Sequence, residues 1–297
     1  MSADRAPSVE IALGEHPHTK ALKSGALSSS RVALSFSKIE PATRFFRAMV
    51  REQTFDMSEL PIGAFLMARA YGKPLVLLPA TMLARFQHAM LLCSAARPIE
   101  PADLAGKTIG VRSYGQTTAI WVRGFLASDY GVDPRAMRWV VFEDDHVAEY
   151  EAPAGVVRVG PDKNMLEMLR TGELDAAIHG QRLPDDPAFR PVIPDPDAAA
   201  RAWYAKHGFT PINHMVVATE AFVKSNPEAV KEVYRLLAES AMATPRSASD
   251  SLPFGLQECR PALTTAIDYL VQQELVPQRI DVDQLFDDTT RALGGSM

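Results

Sequence analysis

The stretch that decides the fold is Gly106-Lys107-Thr108-Ile109-Gly110-Val111-Arg112-Ser113-Tyr114-Gly115-Gln116-Thr117-Thr118-Ala119-Ile120-Trp121-Val122-Arg123-Gly124-Phe125-Leu126. Thr108 to Val111 reads as a short β-strand bounded by glycine and followed at once by polar residues. From Thr117 the period changes to that of a helix, with Trp121 and Phe125 four apart on one face. The turn between them carries hydroxyls, an amide and a guanidinium, with Thr117 or Thr118 in the N-cap position. A helix start offers unpaired N–H groups and the positive end of the macrodipole, which suits a carboxylate or phosphate. Arg112, at the carboxyl end of the strand, adds a two-pronged donor for the same anion. The competing reading is a plain strand-turn-helix in which Arg112 pairs with a surface acid.

The same alternation recurs on either side of this stretch. Val9 to Gly14 reads as a strand ending in Glu15-His16-Pro17-His18-Thr19, and Arg31 to Phe36 as a second strand. Pro41 to Gln53 has helical spacing, with Phe45 and Met49 on one stripe and Arg44, Arg47 and Arg51 on another side. Phe55-Asp56-Met57 is a short strand ending in Ser58-Glu59, ahead of a helix from Pro61 to Ala70. Leu75 to Leu78 is a continuous apolar run of the kind found in parallel strands covered on both faces. A loop from Pro79 to Arg85 and a strand from Phe86 to Cys93 follow, placing His88 near the start of that strand. Beyond the opening stretch, strands are expected at Arg138 to Phe142, Leu174 to Ile178 and Pro211 to Val217. Helices are expected at Asn164 to Arg170, Ala198 to Lys206, Pro227 to Met242, Gln257 to Gln273 and Val282 to Leu293, the last capped by Asp281. Strand-helix alternation with a helical tail gives the α/β class.

A chain of 297 residues exceeds the usual single-domain size, so two domains or one large one are expected. A net charge of −5, with lysines and arginines scattered, argues against nucleic-acid and membrane-surface partners. Cys93 and Cys259 lie far apart with no Cys-x-x-Cys spacing, which leaves two reduced thiols rather than a zinc knuckle or redox pair. Met1 to Pro7 lacks a basic region followed by an apolar one, so a cytoplasmic protein is expected. There is no Gly-x-Gly-x-x-Gly, P-loop, His-Glu-x-x-His or Gly-x-Ser-x-Gly. The loop Glu143-Asp144-Asp145-His146 gathers acids and an imidazole but lacks calcium-loop spacing.

Two runs, Asp103 to Val111 and Gly172-Glu173-Leu174-Asp175-Ala176-Ala177, resemble those of type 2 periplasmic-binding-protein folds. More specific runs are Met49-Val50-Arg51-Glu52-Gln53, Phe55-Asp56-Met57-Ser58-Glu59, Arg85-Phe86-Gln87-His88, Gln116 to Gly124, Glu143 to Tyr150 and Pro211-Ile212-Asn213-His214-Met215. Together these resemble the 4,5-dihydroxyphthalate decarboxylase family, over about residues 9 to 293. The resemblance implies a two-lobed α/β fold with a central inter-lobe cleft. Residues 1–112 and 213–297 would form the first lobe, and residues 113–212 the second.

It also implies a carboxy-lyase acting on a hydroxylated aromatic dicarboxylate, with 4,5-dihydroxyphthalate giving protocatechuate. His88 and His214, then His18 and Glu59, are the expected proton-handling residues. Arg85, Arg112, Gln116, Thr117, Thr118 and His179 are the expected substrate-binding residues. No organic cofactor is implied, because a phenol-bearing ring delocalises charge itself; a divalent metal on His18, His88, His214 and Glu59 is the alternative. The only partner expected is the small aromatic acid, and an oligomer is compatible with the sequence. The rival to catalysis is a solute-binding or sensor protein for an aromatic carboxylate.

Overall fold

The computed structural model describes residues 6–180, 184–244 and 252–294. The opening residues Met1 to Arg5, and Gln181 at the end of the expected His179-Gly180-Gln181 run, lie outside them. The chain divides into two compact units: Met1–Ala84 with Ile212–Thr264 and Gln278–Met297, and Arg85–Pro211 with Thr265–Pro277. Each has its own sheet, in the manner of type 2 periplasmic binding proteins.

The first unit is built on five strands in the order Ala33–Phe36, Ser8–Ala12, Met57–Pro61, Ile212–Thr219, Leu75–Ala84. The first three run parallel, and Ile212–Thr219 runs antiparallel to both its neighbours. Its core joins Val9, Ile11, Met57 and Val216 to Val230, Val233, Leu236 and Leu237 of the helix Pro227–Met242. The helix Ile62–Ala70 is buried continuously from Ile62 to Ala68, so it lacks the polar face of a surface helix.

The run Leu75 to Leu78 departs from expectation. It continues as one strand to Ala84 and pairs antiparallel, because an apolar run reports burial on both faces and not the direction of its neighbour. Pro79 is tolerated inside it at an irregularity, where Met215 pairs with Thr81 but Val217 with Leu77. The expected final helix from Val282 to Leu293 is instead a 3₁₀ turn, Val282–Leu285, and a short helix, Asp288–Arg291, each with its own aspartate cap.

The second unit has six strands in the order Phe189–Pro191, Leu91–Ser94, Ala176–Ile178, Thr108–Val111, Arg138–Val141, Val157–Arg158. Here the division differs from that expected. Residues 85–112 belong to this unit because Leu91–Ser94 and Thr108–Val111 both pair with Ala176–Ile178. Residues 265–277 of the expected first lobe belong here too. Spacing along the chain shows that a strand exists but not which sheet it joins.

The helix Thr117–Tyr130 is buried from Thr117 through Leu126 and ends on Gly131 in the left-handed conformation that relieves its last turn. Its Gly124 lies against the ring of Tyr269, and a Cβ there would stand 2.1 Å from two ring carbons. Among the described residues no helix is long and apolar enough to cross a membrane. Because the clash at Gly124 is with a buried ring, Gly124→Ala is expected to lower stability by about 1–3 kcal/mol. Urea unfolding should show a lower midpoint at unchanged slope; an unchanged midpoint would mean the second unit is looser at this point than described.

Candidate active site

In the first unit, the central strand Met57–Pro61 carries Glu59 with only 1% of its surface exposed. The expectation put Glu59 after the end of a strand; it lies inside one, since the strand begins two residues later than the apolar pattern suggested. Val216 sits opposite Glu59 and His214 opposite Pro61, so Glu59 and His214 are diagonal neighbours on one face of the sheet. On the other side, Ile11 pairs with Met57 and Ala12 with Ser58. That parallel register delivers Gly14 and His16 to the same carboxylate.

The Gly14 N–H donates to Glu59 Oε2 at 2.8 Å. His16 Nε2 lies 3.0 Å from both carboxylate oxygens, and His214 Nδ1 lies 2.6 Å from Oε1. Thr19 fixes the His16 loop by accepting from the His16 N–H at 3.0 Å and donating to the Gly14 carbonyl at 3.1 Å. His18 is buried in the turn Pro17–Thr19 and stacks on His16 with ring centroids 5.1 Å apart, while its carbonyl accepts from Ser240. Phe46 meets His214 edge to face at 5.3 Å.

Burial alone would raise the pKa of the Glu59 carboxyl, but the hydrogen bonds and charges of His16 and His214 hold it well below the ordinary glutamate range. Glu59 is therefore an ionised acceptor, and the imidazole nitrogen facing it carries the hydrogen. The side chains of His16 and His214 keep 16% and 21% exposure. Each can present its other nitrogen to a ligand while Glu59 fixes ring and tautomer.

Of the expected proton-handling residues, Glu59 and His214 thus meet, with His18 close by. His16, one of two histidines that the sequence places just past a strand's carboxyl end but to which it assigns no role, joins them. Its signal is position just past the strand next to that of Glu59, and the pairing of those two strands is not legible in the sequence.

His88 is different. It lies in a 3₁₀ turn rather than a strand, in the second unit, at 3% exposure. Its ring stacks on Phe125 at 4.3 Å and 5°, with Trp203 and Phe86 around it. Burial pushes its pKa down to about 4, outweighing the opposing pull of Asp129, so the ring is neutral at pH 7. This is a packed core histidine, the alternative to a catalytic one.

Of the expected substrate-binding residues, Arg112, Gln116 and His179 line one pocket inside the second unit, and Arg85 and Thr118 lie near its Gly180. Val111 pairs with Ile178 in parallel register, so the residues after both strands are neighbours. A pocket of about 360 Å³ is lined there by Arg112, Gln116, Glu143, Lys163, Asn164 and His179. Arg85 donates to the Gly180 carbonyl at 2.6 Å, and its burial lowers the guanidinium pKa. Gln116 lies so close to Gly180 that a Cβ would stand 1.8 Å from its amide nitrogen and 3.4 Å from Thr118 Oγ1. The N-cap is Gln116 rather than Thr117 or Thr118, which are the first two helical residues and are buried.

Arg112 pairs with Glu143 at 3.2 Å. Asp144 pairs with Arg158, and Asp145 accepts from the Gly115 N–H at 2.8 Å, so this acidic loop spends its carboxylates internally. His146 is buried rather than offered outward. Among the described residues no group of three or more histidines, cysteines or acids is arranged to hold a metal ion.

The pH dependence of Glu59 has a definite sign. A carboxyl held below its unfolded value stabilises the fold above that value, near 4.5, and the contribution is lost as pH falls through the folded value. Glu59→Gln is expected to cost about 1–3 kcal/mol at pH 7. The gap between wild type and variant should narrow progressively below pH 4.5. Denaturant titrations at pH 7, 5 and 3.5 test this, and a gap of constant size would show that Glu59 is not held ionised.

Residues 45–248 match the family model described as NMT1/THI5 like. The chain is 31% identical over 233 residues to the 4,5-dihydroxyphthalate decarboxylase of Comamonas testosteroni, covering 74% of this chain and 70% of that protein. It is 33% identical over 210 residues to the protein of the same name from Pseudomonas putida, covering 66% and 81%. Among solved structures, the periplasmic aliphatic sulphonate binding protein SsuA from Escherichia coli superposes with a TM-score of 0.61 at 14% identity, over 94% of this chain and 97% of that one. A mutant of DSZB in complex with biphenyl-2-sulfinic acid gives 0.61 at 15% identity, over 96% and 97%. At such identities the structures establish the fold.

Proposed function

Because the chain belongs to the NMT1/THI5-like family and to that of the 4,5-dihydroxyphthalate decarboxylases, we propose that it is a carboxy-lyase acting on a hydroxylated aromatic dicarboxylate, 4,5-dihydroxyphthalate in the first instance, with protocatechuate as product. The observation that carries the catalytic part is the buried, ionised Glu59 with an imidazole on either side.

Loss of carbon dioxide from an arene needs an electron-rich ring and a proton for the carbon that loses its carboxylate. In this reading His214, with Nδ1 held by Glu59, takes a phenolic proton on Nε2. The phenolate pushes electron density into the ring, and the imidazolium returns the proton to the carbon bearing the leaving carboxylate. The carbon–carbon bond then breaks, and its electron pair restores the aromatic ring and returns the oxygen to phenolate. Carbon dioxide departs, and the phenolate takes from solvent the one proton that the overall reaction consumes. His16 shares the Glu59 carboxylate and is the second proton-carrying group. General acid–base steps of this kind contribute about 10²–10⁴-fold each. His88, neutral within aromatic packing, has no part in the scheme.

A solute-binding reading has the fold on its side, since several structural neighbours are sulfonate-binding proteins. The two readings separate on mixing the protein with 4,5-dihydroxyphthalate and following carbon dioxide and the ultraviolet spectrum, because a receptor binds without turnover.

His214→Ala is expected to lower kcat by about 10²–10⁴-fold, with KM changed far less. Turnover at the wild-type rate would remove His214 from the reaction. The second unit is suited to hold a carboxylate through Gln116 and the start of the helix Thr117–Tyr130, with Arg112 joining by exchanging Glu143 for the ligand. Gly180→Ala displaces Gln116 and is expected to weaken phthalate binding about tenfold, the worth of one hydrogen bond to a charged group. Calorimetric titration with phthalate checks it, and unchanged affinity would exclude Gln116 from carboxylate binding.

A further inference from the structure

The second unit has another pocket, of about 500 Å³, lined by none of the residues assigned to substrate or catalysis above. That volume lies within the range of small-molecule sites. Its walls include Tyr114, Trp139, Pro134 and Pro153, and Arg138 and Glu274 also line it.

The aromatic wall is held rigid. Tyr114 and Trp139 meet edge to face at 5.8 Å, and the indole N–H donates to the Pro134 carbonyl at 2.9 Å. Arg123, fully buried, lies 4.1 Å from the Tyr114 ring centroid and 5.2 Å from that of Trp139. It donates at 2.7 Å to the Tyr114 carbonyl and at 2.7 Å to Gln273 Oε1, while Gln273 in turn donates to the Ile120 carbonyl at 2.9 Å. Gln273 is itself part of the lining. A helix needing only core packing would place an aliphatic residue at position 123. A buried guanidinium is costly, and here it fixes three lining residues at once.

The charges of the lining are selective. Asp133 and Arg135 pair with each other at 3.0 Å and cancel. Arg138 commits Nε to Thr108 Oγ1 at 3.1 Å, which leaves its terminal amino groups available to an anion. Glu274 occupies a left-handed backbone position, φ +57°, just after the helix Leu256–Gln272. That position closes the helix, as Gln53 closes the helix Ala42–Glu52, and Glu274 thereby enters the lining with a carboxylate in reach of the Arg135 charge.

We infer that this pocket binds a hydroxylated aromatic monocarboxylic acid. Its ring lies against Tyr114 and Trp139, its carboxylate on Arg138, and a phenolic O–H donates to Glu274. The product of the proposed reaction belongs to this class, but the binding does not depend on turnover.

The test is calorimetric titration of the full-length protein with 3,4-dihydroxybenzoate and, separately, benzoate. Arg138→Gln and Ala154→Trp, both at exposed positions of the lining, should weaken one binding event for 3,4-dihydroxybenzoate at least tenfold. Glu274→Gly should erase the preference for 3,4-dihydroxybenzoate over benzoate in that event and leave the fold intact by thermal melting. Any binding at the Glu59 cluster is separated by repeating the titrations in His214→Ala, where the pocket event persists. Affinities untouched by both Arg138→Gln and Ala154→Trp would overturn the assignment, as would the loss of every binding event in His214→Ala.

Discussion

The first unit turns on a single buried carboxylate. Taking an ionised glutamate out of water costs several kcal/mol unless donors replace the lost hydration, and Glu59 finds them in the Gly14 N–H, His16 and His214. These donors come from segments far apart in the chain, brought together only because Met57–Pro61 is flanked by Ser8–Ala12 on one side and Ile212–Thr219 on the other. The sheet and the site are therefore one construction. A slip of one residue in the antiparallel pairing would turn His214 to the opposite face and strand the charge. The carboxylate thus penalises the wrong register, in addition to the penalty from the apolar core.

Much of the fold was legible because it rests on local chemistry. The strand Thr108–Val111, the helix start at Thr117 and the helix Pro227–Met242 agree with what spacing and capping residues imply. What could not be read was pairing. The apolar run at Leu75 gave no sign of its antiparallel partner, and nothing between Arg85 and Arg112 reveals that this segment belongs to the second sheet. The helix expected from Val282 to Leu293 broke in two because Asp281 and Asp287 each cap a turn of their own. Two caps so close together were a readable signal against one continuous helix.

Site residues divide along the same line. Arg112, Gln116, Thr117 and His179 follow strands or open a helix within one sheet, so reading strand ends was enough to gather them. His16 needed the register of two strands well separated along the chain, which brings it to a carboxylate 43 positions away. The acidic loop at Glu143 looked available for a ligand because unpaired carboxylates and paired ones have the same letters. Only the positions of Arg112, Arg158 and the Gly115 N–H decide that its charges are already spent.

His88 and His214 show most directly what separates a packed imidazole from one placed where it could transfer a proton. Both stand near strand termini in the sequence, and both are equally plausible proton carriers there. His88 faces Phe125 and Trp203, where loss of hydration disfavours the charged ring. His214 faces Glu59, which fixes its tautomer and aims its remaining nitrogen away from the sheet's carboxylate. An imidazole becomes useful for proton transfer when one nitrogen is committed and the other is accessible, and that is a property of the neighbouring strand. Chemistry in this protein is thus specified by residue 59 as much as by the histidine that would perform it.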